Sequence, residues 1–330
     1  MKVCAVIVTY GNRFRYVEKV IRALISEKID RIILVSNGTI GKSYDQLITL
    51  KSKHNIEIVS LKKNMGSAYG FKIGIQKALE NKDNEFIWLL DDDNQPEVGA
   101  LETLKEYWTK CIENTDKSKT HALLSYRNDR PLYKEAVIKE QPYLMLGHRN
   151  SFLGFHVLEV FKRVYRKLFP PRINHSETAS LGKVAVAPYG GLFFHRNLIL
   201  SIGLPDESYF LYADDYDFSY RITKREGDII LITKSIINDL ETSFHLKHDN
   251  DKSSRYFKTD SKFRIYYSVR NGIRFESENF VSNKFIYKLN MVLYLILLFL
   301  LFCTKPNQFK KFTIIISAII AAFKKDFSEI

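Results

Sequence analysis

Two clusters of carboxylates are the residues of this chain best suited to chemistry. The first, Asp91-Asp92-Asp93, follows the apolar run Phe86–Leu90 without a break. Adjacent carboxylates repel one another, and their summed field is costly unless a cation sits among them. In an extended segment residues i and i+2 point the same way. Asp91 and Asp93 are therefore expected to face one ion, with Asp92 turned elsewhere. Hard divalent ions such as Mg²⁺ and Mn²⁺ take carboxylate oxygens and often share them with substrate phosphates. The alternative is a solvated acidic turn. An EF-hand is excluded, because the loop lacks its Gly and its terminal Glu at the required spacing.

The second cluster lies in Tyr209–Arg221, where Asp214, Asp215 and Asp217 stand among aromatics. An aromatic surround partly desolvates a carboxylate and raises its pKa, which suits a general base. Asp214 and Asp215 fall where a helix begins, so capping competes with catalysis for one of them. Asp217 and Arg221 are i, i+4 neighbours and read as a structural pair. His245 and His248 follow an extended stretch. Each is available as a further ligand of a Mn²⁺-type site, or as an ordinary surface or core residue.

These residues need elements to hold them. Val3–Thr9 is a continuous, β-branched apolar run, as in a strand buried on both faces. Tyr16–Glu27 has helical spacing in Val17, Val20, Ile21, Leu24 and Ile25. Arg31–Val35 and Glu57–Leu61 read as strands, Gly66–Asn81 as a helix, and Phe86–Leu90 as a fourth strand that runs into the triple Asp. This order predicts an α/β fold with an open, mostly parallel sheet flanked by helices. In such sheets ligands bind beyond the carboxyl ends of the strands, and Asp91 stands at one. Residues 110–180 read as loops and short helices over the sheet edge. Order returns with Val184–Ala187, Pro188-Tyr189-Gly190-Gly191 and Leu192–His195, then a helix over Asp214–Arg225 and a strand at Ile229–Thr233.

The chain of 330 residues is 45% hydrophobic and 26% charged, enough for one large domain, or for one domain plus an appendage, and unlike a disordered or fibrous composition. A net charge of +13 suits an anionic partner. Cys4, Cys111 and Cys303 lie far apart, without metal spacing or a disulfide framework, which fits a reducing compartment. The N-terminal apolar run is too short for a signal peptide and has no cleavage site. The catalytic part is therefore expected in the cytoplasm. Near the C-terminus, Leu289–Thr304 and Phe312–Phe323 are apolar segments flanked by lysines. The first would span about 24 Å as a helix at roughly 1.5 Å per residue. That is short of a hydrocarbon core about 30 Å thick. A hairpin dipping into the inner leaflet, or helices lying in the interface, is expected from this pattern. Buried or oligomerising helices are the alternative.

Taken in order, Val6–Arg13, Asn64–Gly70, Asp91-Asp92-Asp93, Tyr189-Gly190-Gly191 and Ala213–Asp217 resemble the family 2 inverting glycosyltransferases of GT-A fold, over roughly residues 1–250. The resemblance implies a catalytic domain over 1–255 and a helical, membrane-associated tail over 256–330. It implies that Thr9 and Tyr10 lie at the nucleotide base and ribose, and that Asn64 and Gly66 shape the donor pocket. Asn37, Asp92, Gly190 and Gly191 belong to the donor site as well. Asp91 and Asp93, with His245 as third ligand, would hold Mn²⁺ or Mg²⁺ against the donor diphosphate. Asp214 or Asp215 would be the base that deprotonates an acceptor hydroxyl, with Asp214 favoured. Many relatives carry Asp-Asn-Gly/Ala-Ser after the second strand, where this chain has Ser36-Asn37-Gly38-Thr39, so the base that is read is left open.

Within that family, Trp88–Asp93 and Tyr266–Asn271 look like bacterial galactofuranosyl- and rhamnosyltransferases of surface polysaccharide synthesis. The implied partners are a nucleotide-sugar donor, a glycan acceptor on a polyprenyl diphosphate, and the inner leaflet of the cell membrane; self-association is left open. Other classes fit less well. A nucleotidyltransferase would want a Gly-rich phosphate loop, and no GxxxxGK stretch exists. Both acidic clusters speak against a non-catalytic binding protein. No nucleic-acid motif accompanies the basic charge.

Overall fold

The computed structural model describes residues 1–53, 56–111, 115–159, 180–241, 255–303 and 305–327. The chain forms two compact units. One comprises Met1–Met145, Ala179–Phe210 and Asp214–Ser243; the other comprises Leu146–Thr178, Leu211–Ala213 and Phe244–Ile330.

Among the described residues the first unit holds strands β1 (Val3–Thr9), β2 (Arg31–Asn37), β3 (Ile56–Leu61), β4 (Phe86–Asp91), β5 (Asn94–Pro96), β6 (His121–Arg127), β7 (Leu181–Val184), β8 (Leu192–His195) and β9 (Asp228–Asp239). They build one sheet in the order β3-β2-β1-β4-β8-β6-β9-β5, with β7 paired to β9 alongside. From β3 to β4 all pairing is parallel. β8 then runs antiparallel to both β4 and β6, and β6 is parallel to β9. Strands β1, β2, β4, β6 and β9 therefore share one direction. Their carboxyl ends, Thr9, Asn37, Asp91, Arg127 and Asp239, lie along one edge of the sheet.

Helices α1 (Phe14–Ser26), α2 (Gly41–Lys53), α3 (Gly66–Glu80), α4 (Ala100–Cys111), α5 (Pro131–Ile138), α6 (Leu198–Ile202) and α7 (Asp214–Lys224) cover the two faces. The period of two in β1 divides them. Val3, Ala5 and Ile7 pack with Val17, Ile21 and Leu24 of α1 and with Leu104 and Trp108 of α4. Cys4, Val6 and Val8 pack with Phe71 and Ile75 of α3 and with Phe218 and Ile222 of α7. Both layers are dry, which is why β1 reads as an unbroken apolar run. Helix α3 comes close to the sheet through glycines: a Cβ on Gly74 would meet Val6 Cγ1 at 2.4 Å.

Three local expectations are corrected. Residues 41–53 form α2 between β2 and β3, where two successive strands were expected; Leu47 and Leu50 are its buried apolar residues, so its apolar stripe is thin. The stretch 110–180 contains β6, an interior strand and not a loop. Strand β9 runs on to Asp239, past the expected end at Thr233. Lys234 and Ser235 look like a break, but they form an irregularity where the register with β6 shifts between Ser125 and Tyr126. The Ser125 and Ser235 hydroxyls satisfy each other there at 2.9 Å.

The second unit holds α8 (Arg255–Lys258), α9 (Lys262–Asn279), α10 (Lys284–Phe302) and α11 (Pro306–Lys324) among its described residues. It also takes in 146–159, so the boundary expected at residue 255 lies inside it. Asn150 explains why. Its Oδ1 accepts from the Ser282 and Asn283 backbone N–H groups at 2.8 Å each, and its carbonyl accepts from Asn290 Nδ2 at 2.8 Å.

Candidate functional site

The site is built on the sheet edge where Thr9, Asp91, Arg127 and Asp239 end their strands. Past Asp91 the chain turns, and the extended alternation stops. Asp92 folds back toward β1, where its Oδ2 accepts from Thr9 Oγ1 at 2.6 Å and from Arg13 Nε at 2.8 Å. Arg13 Nη2 reaches Asp93 at 3.1 Å, and Nη1 bonds Glu241. The Arg13 guanidinium also lies over the Tyr16 ring, 4.8 Å from its centroid, and over Tyr10 at 5.2 Å. Asp92 is thus turned away toward β1, and Arg13 pairs with both Asp92 and Asp93 because the turn brings the two carboxylates to it.

A second guanidinium serves Asp91. Arg127 is buried, bonds Asp239 through Nη2, and places Nη1 3.5 Å from Asp91 Oδ2. Asn94 links the same groups: its Oδ1 accepts from the Asp91 N–H at 3.1 Å, and its Nδ2 donates to Asp239 at 2.6 Å. Gly190 faces this cluster. A Cβ there would fall 1.9 Å from Asn94 Oδ1, 2.8 Å from Arg127 Nη1 and 2.9 Å from Asp91 Oδ2. Gly190→Ala is expected to destabilise the fold by about 1–3 kcal/mol, as overpacking of a filled site does, read as a lower urea midpoint. Gly191 has φ +101 and ties β4 to β6 through Gly191 N–H to the Leu89 carbonyl at 2.8 Å and the Ser125 N–H to its own carbonyl at 3.0 Å.

Two arginines do not neutralise these carboxylates fully. Burial, followed by the charges of Asp91 and Asp92, pushes Asp93 up to about 7. Asp91 is also raised, chiefly by burial, although Arg127 pulls the other way; 41% of its side chain stays open beside Gly190. Among the described residues no three His, Cys, Asp or Glu side chains converge as a metal site. His245 lies outside the described residues. Still, two hard oxygen ligands with raised pKa values, one of them with its side chain partly exposed, suit a divalent ion that shares its shell with phosphate oxygens.

The remaining donor-site candidates gather at the end of β2. Asn37 is buried and spends its side chain on the backbone: Nδ2 donates to the Gly66 carbonyl at 2.9 Å, and Oδ1 accepts from the Met65 N–H at 2.8 Å. Asn64 is exposed, and its Oδ1 accepts from the Gly66 N–H at 2.9 Å. Gly66 itself has φ +81, and a Cβ on it would stand 2.1 Å from the Phe210 carbonyl oxygen. That carbonyl accepts from the Ala68 N–H at 3.3 Å at the start of α3. Tyr10 presents a partly exposed ring at the end of β1.

The acidic pair begins α7 after a strained approach, with positive φ at Phe210, Tyr212 and Ala213. Asp214 is 3% exposed and accepts from Ser67 Oγ at 2.6 Å. Burial, then the charge of Asp215, raises it to about 8. Asp215 is half-buried, and its Oδ1 accepts from the Tyr216 N–H at 2.8 Å. Burial raises it to about 6, against the Tyr216 N–H and Arg130, and Asp91 adds to the rise. Asp217 pairs with Arg221 at 3.2 Å, and Arg221 also caps the Ile202 and Leu204 carbonyls, so that pair is structural.

The sequence reading missed Arg127, Asn94, Asp239 and Ser67, and gave Arg13 no role. Arg127 and Asp239 had a signal: each ends a strand, but neither strand end had been recognised. Arg13 and Ser67 act through contacts that only the fold creates.

The glycosyl transferase family 2 model matches residues 4–167. No curated protein matches the chain in sequence. Among solved structures, the chain is similar to S. aureus TarS 1–349 in complex with UDP-GlcNAc, with a TM-score of 0.51 and 13% identity over 98% of this chain and 81% of that one. GalNAc-T7 with UDP, GalNAc and Mn²⁺ gives a TM-score of 0.49 and 12% identity, covering 88% of this chain. The chain spans about half, 54%, of the GalNAc-T7 chain. With the ordered motifs of the sheet edge and the α/β fold that carries them, residues 4–167 form a glycosyl transferase family 2 domain.

Proposed function

We propose that the chain transfers a sugar from a nucleoside-diphosphate donor to an acceptor hydroxyl in one inverting displacement. What supports this most is the meeting of two different carboxylate sets at one edge: Asp91 and Asp93 after β4, and Asp214 and Asp215 at the start of α7. They are close enough that the charge of Asp91 raises both members of the pair.

The pair divides its labour by exposure. A base must be reached by the acceptor. The resemblance favoured Asp214, but its burial and its bond to Ser67 turn the reading toward Asp215. One oxygen of Asp215 caps the Tyr216 N–H, and the other remains for the hydroxyl. The acceptor oxygen bonds to the anomeric carbon as the bond to the diphosphate oxygen breaks, and the hydroxyl proton passes to Asp215. Asp91 and Asp93 would hold a divalent ion, Mn²⁺ or Mg²⁺, which neutralises charge on the departing diphosphate. Arg13 and Arg127 orient the carboxylates and keep the cluster from flying apart. Thr9 fixes Asp92, and Tyr10 offers its ring to the nucleoside.

The donor proposed is UDP-galactofuranose, on the motif resemblance of Trp88–Asp93 and Tyr266–Asn271. The acceptor proposed is a growing, lipid-linked surface polysaccharide. Purified protein would be assayed for binding and turnover of UDP-galactofuranose, dTDP-rhamnose, UDP-galactose and UDP-glucose, with Mn²⁺ or Mg²⁺ and with chelator. Turnover of UDP-galactofuranose that chelator abolishes is expected. A preference for dTDP-rhamnose would overturn the sugar and keep the reaction class. If no nucleotide sugar binds and chelator changes nothing, the reading of Asp91 and Asp93 fails.

A further inference from the structure

Helix α10 is, among the described residues, the one helix long and apolar enough to cross a membrane by length and composition. Its two faces differ. Tyr287, Asn290, Tyr294 and Leu298 recur at helical spacing and are buried. Its first two turns are held by polar bonds. Tyr287 Oη donates to Glu276 at 2.9 Å, and Asn290 Oδ1 accepts from the Val157 N–H at 3.0 Å while its Nδ2 donates to the Asn150 carbonyl. The Asn283 side chain caps the helix start. The opposite stripe is Phe285, Leu289, Val292, Ile296, Phe299 and Leu300, with Phe285 77% and Leu300 69% exposed.

A helix that crossed the bilayer would carry Asn150, Glu276 and the 146–159 segment into hydrocarbon with it, where a carboxylate and an irregular backbone have no water to bond. A helix lying flat buries only its outer stripe, about 5–10 Å deep, and leaves the polar flank in water. Helix α11 is fixed in the same way: Ile315, Ala318, Ile319 and Ala322 are buried, and Lys311 Nζ donates to Asp260 and to the Phe257 carbonyl, each at 2.9 Å. Residues 284–325 contain seven lysines and no acidic residue. Lys284, Lys288, Lys305, Lys310, Lys324 and Lys325 are exposed. Such charge opposes pairing with a second copy of the same face and complements an anionic surface.

We propose that the outer stripe of α10 docks in the plane of an anionic lipid leaflet, without crossing it. The inference rests on the second unit alone, so it stands or falls apart from the transferase reading. The test is flotation of the full chain with vesicles of phosphatidylcholine alone or mixed with phosphatidylglycerol. Wild type is expected to float with the mixed vesicles only, and to be released by high salt with carbonate. Val292→Asp with Ile296→Asp, both at exposed positions, is expected to cut binding about tenfold or more, with helix content and nucleotide binding unchanged. Lys284→Glu with Lys288→Glu leaves the apolar stripe whole and is expected to remove the preference for anionic lipid. Equal binding to neutral vesicles with resistance to carbonate extraction would overturn docking in favour of crossing. Flotation that neither double variant alters would also overturn it. So would a dimer in solution that the Val292 and Ile296 changes dissociate.

Discussion

Asp215→Asn is expected to lower kcat by about 10²- to 10⁴-fold, the range that general-base catalysis contributes, with donor affinity unchanged. Asp214→Asn is expected to have a mild effect. The difference follows from the order in which the pair titrates. Asp215 ionises at about 6, and its charge helps hold Asp214 protonated up to about 8. At neutral pH the pair then carries one proton, on Asp214, and an amide there is close to isosteric with the neutral acid. The sign for activity is direct. A base works when deprotonated, so wild-type kcat should rise with pH through about 6 and level off near neutrality. Removing the Asp215 carboxylate should also remove that limb. A rate–pH profile for both variants, beside donor binding by calorimetry, checks all of this. If Asp214→Asn is the inactive variant and Asp215→Asn is nearly wild type, the roles are reversed and Asp215 is a cap.

The second large effect is on stability. Arg13→Met should destabilise the fold by about 3–5 kcal/mol, as removing one partner from a buried ionic network does. Arg13 is 14% exposed and Asp92 only 4%. Without Arg13, Asp92 keeps the Thr9 hydroxyl alone, while Asp93 stays among like charges. Glu241 is 40% exposed, so its pairing adds less to this figure than that of Asp92. Urea unfolding of Arg13→Met, Asp92→Asn and the double variant provides the cycle. The double variant should recover part of the loss, because the buried charge is gone with its partner. If Arg13→Met costs less than about 1 kcal/mol, water screens the network and Arg13 is not its keystone.

Much of the fold was legible because its signals were local and periodic. β1, β4 and β8 are apolar up to their last residue, α1 has an apolar stripe, and Asp91 closes β4. What escaped were elements whose polar residues are satisfied at a distance. Ser125 and Ser235 pair across 110 residues, so β6 and the far half of β9 look interrupted when read alone. With those strand ends unseen, Arg127 and Asp239 could not be set beside Asp91. The triple Asp was recognised as needing a cation. That Arg13, 79 residues earlier than Asp92, supplies part of it depends on β1 lying beside β4. Asn37 illustrates the converse: it was assigned to the donor, and its side chain is engaged with Met65 and Gly66.

The seating of the Phe210 carbonyl against Gly66, with the Ala68 N–H on it and Ser67 shared between Phe210 and Asp214, fastens the acidic pair through backbone atoms. Such a fastener is blind to the side chains around it. An exposed neighbour such as Glu207 can therefore vary in sequence while the pair keeps its place, whereas Tyr209 is buried and is held by its packing. Position 66 has no such freedom, since any side chain would strike that oxygen. The placing of the acidic pair and the identity of its exposed neighbours are thus separable in this chain, so that one can be remodelled, by selection or by design, without disturbing the other.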